Sequence, residues 1–198
     1  VAGSAAQPYA EQNQLSFVPL ADVGFNDVLA NVYYAPAVAW AVENGITMGT
    51  SDTTFSPNRS CTRAQTVTFL WRAAGCPEPK SAETPFRDLV EGSYYYKAVL
   101  WAAEEKITAG TSETTFSPEA TCTRGEIVTF LWQYVGRPET AAAELPFTDV
   151  PEGAFYEAAV RWAYETGVTV GTTETTFSPE ATCTRAQIVT FLYRELAA

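Results

Sequence analysis

Tyr34, Ala37, Val38, Ala41 and Val42 fall at i, i+3, i+4, i+7 and i+8, one face of an amphipathic helix, and Gly45 stands where such a helix would close. The polar stretch from Ile46 to Pro57 predicts a loop, with Gly49 supplying a turn. A second helix starts at a sharp signal, Thr62-x-x-Gln65, a capping box in which side chain and backbone satisfy each other's free donors. Its Ala64, Val67, Phe69, Leu70, Trp71 and Ala74 are apolar over more than one stripe, which suits burial on several sides and a central place.

The pattern then recurs. Phe-x-Asp-Val/Leu opens at Phe25, Phe86 and Phe147, tryptophan follows at Trp40, Trp101 and Trp162, and Thr-Thr-Phe-Ser-Pro surrounds Phe55, Phe116 and Phe177. Each set steps by 61 residues (25, 86, 147) without a gap, and nearly half of the aligned columns are identical in all three copies. Capping boxes reappear at Thr123-x-x-Glu126 and Thr184-x-x-Gln187, whereas Lys106 replaces the helix-closing glycine of the first and third copies. The chain therefore divides into a leader or linker at 1–24 and repeats at 25–85, 86–146 and 147–198. Proline-rich connectors at 77–85 and 138–146 separate the repeats. A single helix-loop-helix of this size is too small to stand alone. The expected fold is all-α: three helix-loop-helix repeats in one pseudo-threefold unit, their second helices forming a central three-helix bundle.

Charge and composition remove several functions. Twelve Lys plus Arg against 23 Asp plus Glu give a net charge of -11, which opposes the electrostatics of nucleic-acid binding. No apolar run approaches the ~18 residues of a membrane span. The absence of histidine removes Ser-His and Cys-His dyads, the usual general base and the commonest metal ligand, so no catalytic residue and no cofactor is expected. Cys61, Cys122 and Cys183 share one column before the second helix and read as small buried hydrophobes. Cys76 has no counterpart and lies a helix length of ~18 Å from Cys61, so no disulfide is expected. A metal held by three cysteines on the pseudo-threefold axis is the alternative for the shared column, without Cys-x-x-Cys spacing to support it.

Only one column is basic in all three copies: Arg63, Arg124 and Arg185. A cation in the first turn of a helix opposes the macrodipole at a cost of roughly 0.3–1 kcal/mol. A bound anion would reverse that sign, meeting free backbone N–H groups and a guanidinium fork. The competing role is a salt bridge to the recurring Asp27, Asp88 or Asp149, which are counted with the arginines among the ligand-binding candidates and otherwise cap a turn or orient an arginine. Trp40, Trp101 and Trp162 suit either a sugar face or the core. Gly49, Gly110 and Gly171 allow either close approach of a ligand to backbone or simply a turn. The loops bearing Asp52, Glu113 and Glu174 lack the ligand density of an EF-hand, so no metal is expected.

The order Phe-x-Asp-Val, Tyr-Ala-x-Ala-Val-x-Trp-Ala, Gly-Ile-Thr-x-Gly, Phe-Ser-Pro and Thr-Arg-Ala-Gln resembles the S-layer homology (SLH) module in three tandem copies over residues 25–198. The resemblance implies a three-pronged helical spindle that attaches exported proteins to the bacterial envelope. It further implies a pyruvylated secondary cell wall polysaccharide in grooves between repeats, with Arg63, Arg124 and Arg185 matching the arginine of the family's Thr-Arg-Ala-Glu motif. Gln65, Gln187 and Gly125 depart from that motif. The expected protein is thus a non-catalytic, extracellular cell-surface anchor, a monomeric pseudo-trimer on a larger exported protein, with a wall polysaccharide as partner and neither nucleic acid nor membrane insertion. The alternatives are a protein–protein assembly module and a glycosidase using two acids ~5–10 Å apart. The repeat weakens the second, because catalytic acids would then appear in triplicate or break the pattern.

Overall fold

The computed structural model describes residues 24–140 and 144–197. All but the last residue of the leader or linker assigned to 1–24 lies outside the described residues. Six helices form, and the described residues hold no strand: α1 Ala35–Glu43, α2 Arg63–Ala73, α3 Tyr96–Glu104, α4 Arg124–Tyr134, α5 Glu157–Glu165 and α6 Arg185–Leu196. The fold is all-α.

The even-numbered helices begin at complete capping boxes. Thr62 Oγ1 accepts from the Gln65 N–H at 3.2 Å while Gln65 Oε1 accepts from the Thr62 N–H at 3.2 Å, and Thr123/Glu126 and Thr184/Gln187 repeat the exchange. The odd-numbered helices start after Tyr34, Tyr95 and Tyr156 without a side-chain cap and draw their stability from burial instead. Gly45 (φ 67°) and Gly167 (φ 77°) end α1 and α5 in the left-handed region, and Lys106 takes the same conformation after α3 at φ 57°. A Cβ there costs roughly 1–2 kcal/mol, yet the helix ends at the same place, because Ile107 N–H still closes on the Ala102 carbonyl at 2.8 Å.

The three even helices, α2, α4 and α6, meet one another at the centre, as the two-sided apolar pattern requires. The odd helices do not pair with their own repeat's second helix. Instead α3 packs on α2, α5 on α4, and α1 on α6, so each prong of the spindle is made from two repeats and the first helix closes onto the last. Successive left-handed residues, Gly75–Cys76 and Gly136–Arg137, reverse the chain after α2 and α4. The indole N–H groups of Trp71 and Trp132 then fix the connectors by donating to the Pro77 and Pro138 carbonyls at 2.8 and 3.1 Å.

One hydrophobic core runs through all three repeats, with Phe55, Phe116 and Phe177 among its largest fully buried side chains. The Phe-x-Asp phenylalanines Phe25, Phe86 and Phe147 lie against these rings, each pair 5.9 Å apart. On the pseudo-threefold axis the three buried cysteines make a closed ring of backbone hydrogen bonds. Cys61 N–H donates to the Cys183 carbonyl (3.1 Å), Cys183 to Cys122 (2.8 Å) and Cys122 to Cys61 (2.9 Å). Their side chains are free thiols, and among the described residues no cluster of Cys, Asp and Glu is placed to hold a metal ion. Burial pushes Cys61 up to about 11 and Cys183 up to about 12, and raises Cys122 in the same way.

Two tests follow from this architecture. A chain truncated after residue 146 leaves α1 without α6 and α4 without α5, so its denaturant unfolding should lose the single sharp transition of the parent. A truncated chain that melts sharply and reversibly would show the repeats to be independent. In the native protein at pH 8 a thiol reagent should modify the exposed Cys76 and reach the other three only on unfolding. Because the folded pKa values are raised, the buried thiols support the fold below pH ~9 and that support is lost as pH rises from about 9 through about 12. Four equally reactive native thiols would refute the buried ring.

Candidate functional site

The site begins with the aspartates. Asp27 accepts the N–H groups of Phe55 (Oδ1, 2.8 Å) and Ser56 (Oδ2, 2.7 Å), and Asp88 and Asp149 do the same for Phe116–Ser117 and Phe177–Ser178 at 2.7–2.9 Å. The serines are left-handed, φ 58°, 59° and 58°, so each carboxylate secures a turn that a serine would not otherwise hold. Of the roles open to Asp27, Asp88 and Asp149, the structure assigns the turn cap.

The turn then serves the second helix of a different repeat. Its carbonyls receive the first N–H groups of that helix: Arg63 to Ala120 (2.8 Å) and Ala64 to Pro118 (3.0 Å), Arg124 to Ala181 (2.9 Å) and Gly125 to Pro179 (2.8 Å), Arg185 to Arg59 (2.9 Å) and Ala186 to Pro57 (3.0 Å). With the third N–H taken by the capping threonine, these helix ends have no free donors for a ligand, contrary to the sequence expectation. The arginine side chains cross the same boundary. Nε of Arg63, Arg124 and Arg185 donates to the carbonyl of Phe116, Phe177 and Phe55 at 2.9, 2.9 and 2.8 Å. Each guanidinium lies over two rings: Arg63 on Phe116 and Phe130 (4.9 and 5.4 Å), Arg124 on Phe177 and Phe191 (4.7 and 5.4 Å), Arg185 on Phe55 and Phe69 (4.8 and 5.2 Å). All three are buried, 3–4% exposed. Desolvation lowers the pKa of Arg124 and Arg185 without threatening their charge.

Beyond this shared frame the three differ. Arg63 Nη1 is ion-paired with Glu126, whose other oxygen accepts the Thr123 N–H at 2.8 Å. No salt bridge joins these arginines to Asp27, Asp88 or Asp149; the aspartates act on them through the turn. Arg185 Nη2 donates to Thr47 Oγ1 at 3.2 Å. Arg124 Nη2 is buried with no hydrogen-bond partner. Arg124 lines a cavity of about 330 Å³ together with Tyr33, Thr169, Gly171, Gln187, Phe191 and Arg194, contributed by all three repeats.

The glycines are required by the turn. At Gly49 (φ +86°) a Cβ would lie 2.5 Å from both the Phe25 ring and the Thr54 carbonyl, and Gly110 and Gly171 are as tightly enclosed. Their N–H groups are taken by Thr47, Thr108 and Thr169 hydroxyls at 3.1–3.2 Å, and Gly171 lines the cavity that Arg124 also lines. The tryptophans stand in the prongs. Trp101 and Trp162 are buried and Trp40 half-buried, with Trp40 against Tyr193 and Trp101 against Tyr134, and none lines that cavity. Tyr33 was not among the residues expected from the sequence. Its signal was there: Tyr33, Tyr94 and Phe155 put an exposed aromatic at one column, 64%, 54% and 65% accessible, outside either helix's apolar face.

Three interlocked helical repeats thus close a ring, with arginines buried between them. The S-layer homology domain model matches residues 24–67, 85–128 and 146–189, and the chain belongs to that family. Its relatives include an endoglucanase of Bacillus sp. (strain KSM-635), 32% identical over 122 residues, 62% of this chain and 13% of that protein. A cellulosome-anchoring protein of Acetivibrio thermocellus is 29% identical over 147 residues, 72% of this chain and 31% of that protein. An S-layer protein of Bacillus thuringiensis subsp. finitimus is 25% identical over 185 residues, 90% of this chain and 22% of that protein. The chain thus spans no more than 31% of the length of these three relatives. A match to 13% of an endoglucanase brings no catalytic chemistry to this chain. Family and relatives place the chain among bacterial surface proteins, and no described helix is long and apolar enough to cross a membrane.

The shared frame generates a coupling test. Asp27→Ala and Arg185→Ala should each cost about 2–3 kcal/mol, the scale of charge-assisted hydrogen bonds lost from a buried site. Because Asp27 holds the turn whose Phe55 carbonyl receives Arg185, the double variant should cost about 1 kcal/mol less than the sum of the two. Strict additivity in denaturant melts would separate the aspartate from the arginine.

Proposed function

We infer that this chain is a non-catalytic anchoring module that binds an anionic, pyruvylated secondary cell wall polysaccharide in the grooves between its repeats and keeps a larger exported protein at the bacterial surface. The observation that carries the reading is Arg124: a guanidinium 4% exposed, one nitrogen without a partner, beside a cavity that an exposed tyrosine also lines. An unsatisfied buried donor on a cation is costly, on the order of 1–3 kcal/mol, and a carboxylate oxygen from a ligand removes that cost. A pyruvyl ketal supplies such a carboxylate on a sugar, and sugar faces suit an aromatic ring at the rim. The family membership and the anchoring and S-layer names of the relatives support the same reading.

The protein should co-sediment with purified cell walls and lose that binding when the non-peptidoglycan polymer is stripped chemically. An Arg124→Gln variant, assayed below its own thermal midpoint, should bind intact walls roughly tenfold or more weakly. Sedimentation that survives polymer removal would replace the polysaccharide reading with an assembly module that binds a protein partner.

A further inference from the structure

The three prongs are alike where the repeats need one another and differ elsewhere. On the prong of α2 and α3 the connector 77–85 is tied down as a strap. Trp71 Nε1 donates to the Pro77 carbonyl at 2.8 Å, and the Glu104 carboxylate accepts the Lys80 and Ser81 N–H groups at 2.9 and 2.7 Å. Lys97 pairs with Glu78 at 2.7 Å and Lys80 with Glu105 at 3.0 Å. A cavity of about 530 Å³ is lined by the strap on one side and by α2, α3 and the turn before α3 on the other. That volume lies within the roughly 300–1,000 Å³ usual for small-molecule sites. None of Arg63, Arg124 and Arg185 lines it.

The repeated fold does not ask for the residues of this cavity. Trp71, Tyr96 and Leu100 give it an aromatic and apolar wall, joined by Tyr94, which is 54% exposed. In the columns of the other two copies Tyr96 becomes Ala35 and Glu157, Leu100 becomes Ala39 and Arg161, and Ser93 becomes Val32 and Ala154. Yet α1 and α5 form over the same span as α3. The lining suits an uncharged, hydroxylated ligand. Both of its cations, Lys80 and Lys97, are already ion-paired, so an anion finds no free charge, and the same two ammonium groups repel a cation. Ser93 carries a buried hydroxyl with no hydrogen-bond partner among the described residues, and Glu91 adds an exposed carboxylate to the same wall. A purely apolar ligand would leave both polar groups uncompensated. A pyranose lays its C–H face on an aromatic ring while its hydroxyls pair with such groups, and an acetamido substituent adds an N–H for Glu91 and a methyl for Leu100. We propose that this cavity is a second saccharide site, apart from the arginine grooves, that takes an uncharged N-acetylhexosamine unit. The proposal rests on the wall-anchoring reading only for the source of that sugar, the secondary polymer or the glycan of peptidoglycan.

Two-dimensional NMR of the full chain reads the site through the Trp71 indole N–H, assigned with a Trp71→Tyr variant, since tyrosine fills that column at Tyr193. Titration with chitotetraose, an uncharged tetrasaccharide of N-acetylglucosamine, should shift that resonance saturably. Tyr96→Ala should weaken binding roughly tenfold or more, and Ser93→Ala roughly threefold to tenfold. Alanine is the residue another copy carries at each of these columns, and unchanged thermal midpoints will verify that the fold is kept. Both variants should bind a pyruvylated N-acetylmannosamine methyl glycoside as the parent does. Depyruvylated polymer and soluble peptidoglycan glycan strands, titrated in the same way, separate the two sources, and one of them should reproduce the Trp71 shift. A Trp71 resonance that ignores all three saccharides overturns the site, as does a Tyr96→Ala variant that binds chitotetraose as tightly as the parent. A protein that fails to sediment with intact walls, yet shows the Tyr96-dependent shift, sinks the wall-polysaccharide reading and leaves this site standing.

Discussion

Everything in this molecule depends on a turn in one repeat satisfying the helix start of another. An aspartate fixes the left-handed serine of Phe-Ser-Pro, and the turn then offers carbonyls to two backbone N–H groups and one arginine Nε across the boundary. Each repeat gives one turn and receives one, so three identical interactions close a ring that the backbone triangle of Cys61, Cys122 and Cys183 seals on the axis. Magnitudes explain why a cation survives at a helix N-terminus. The dipole term opposes it by roughly 0.3–1 kcal/mol. A charge-assisted hydrogen bond of about 1.5–3 kcal/mol and two aromatic faces at about 0.5–2 kcal/mol each exceed that dipole opposition.

Local signals were readable in the sequence and long-range pairings were not. The capping boxes at Thr62, Thr123 and Thr184 fixed three helix starts because Ncap chemistry is contained within four residues. The centrality of α2, α4 and α6 followed from apolar residues on more than one stripe. The pairing of α1 with α6 had no such signal, since every odd helix offers the same apolar face and periodicity does not say which even helix receives it. The ending of α3 at Lys106 was obscured for a related reason: the surrounding contacts impose a left-handed residue that local preference would assign to glycine.

The candidate site was legible by column and hidden by partner. Arg63, Arg124 and Arg185 stood out as the one shared basic column, yet their burial on phenylalanine rings needs two different repeats to be placed together. Asp27, Asp88 and Asp149 were counted among the ligand-binding candidates as well as the turn caps, and both oxygens of each are taken by backbone N–H groups of a turn; Glu126 stood out only as a member of its capping box. Only the structure reveals that its second oxygen faces Arg63. Tyr33 escaped notice because it carries no charge and lies off the helix face, where sequence reasoning rarely looks for function.

On the proposed reading, the arginines would tie recognition to integrity. With a net charge of -11 the protein as a whole repels polyanions, and at physiological salt that field fades over about 8 Å, so attraction must be local and aimed. Burying each guanidinium between two repeats provides both conditions. The cation is shielded from nonspecific polyanions and presents only the nitrogens that the fold has not already used. A ligand that completes such a group also ties together the two repeats that hold it. Occupancy at a hundred times the dissociation constant would then stabilise the ring by about 2.7 kcal/mol per site. Were the module to join a wall polymer to an attached protein as proposed, a grip at the seams would make pulling through the ligand draw on the same contacts that close the fold.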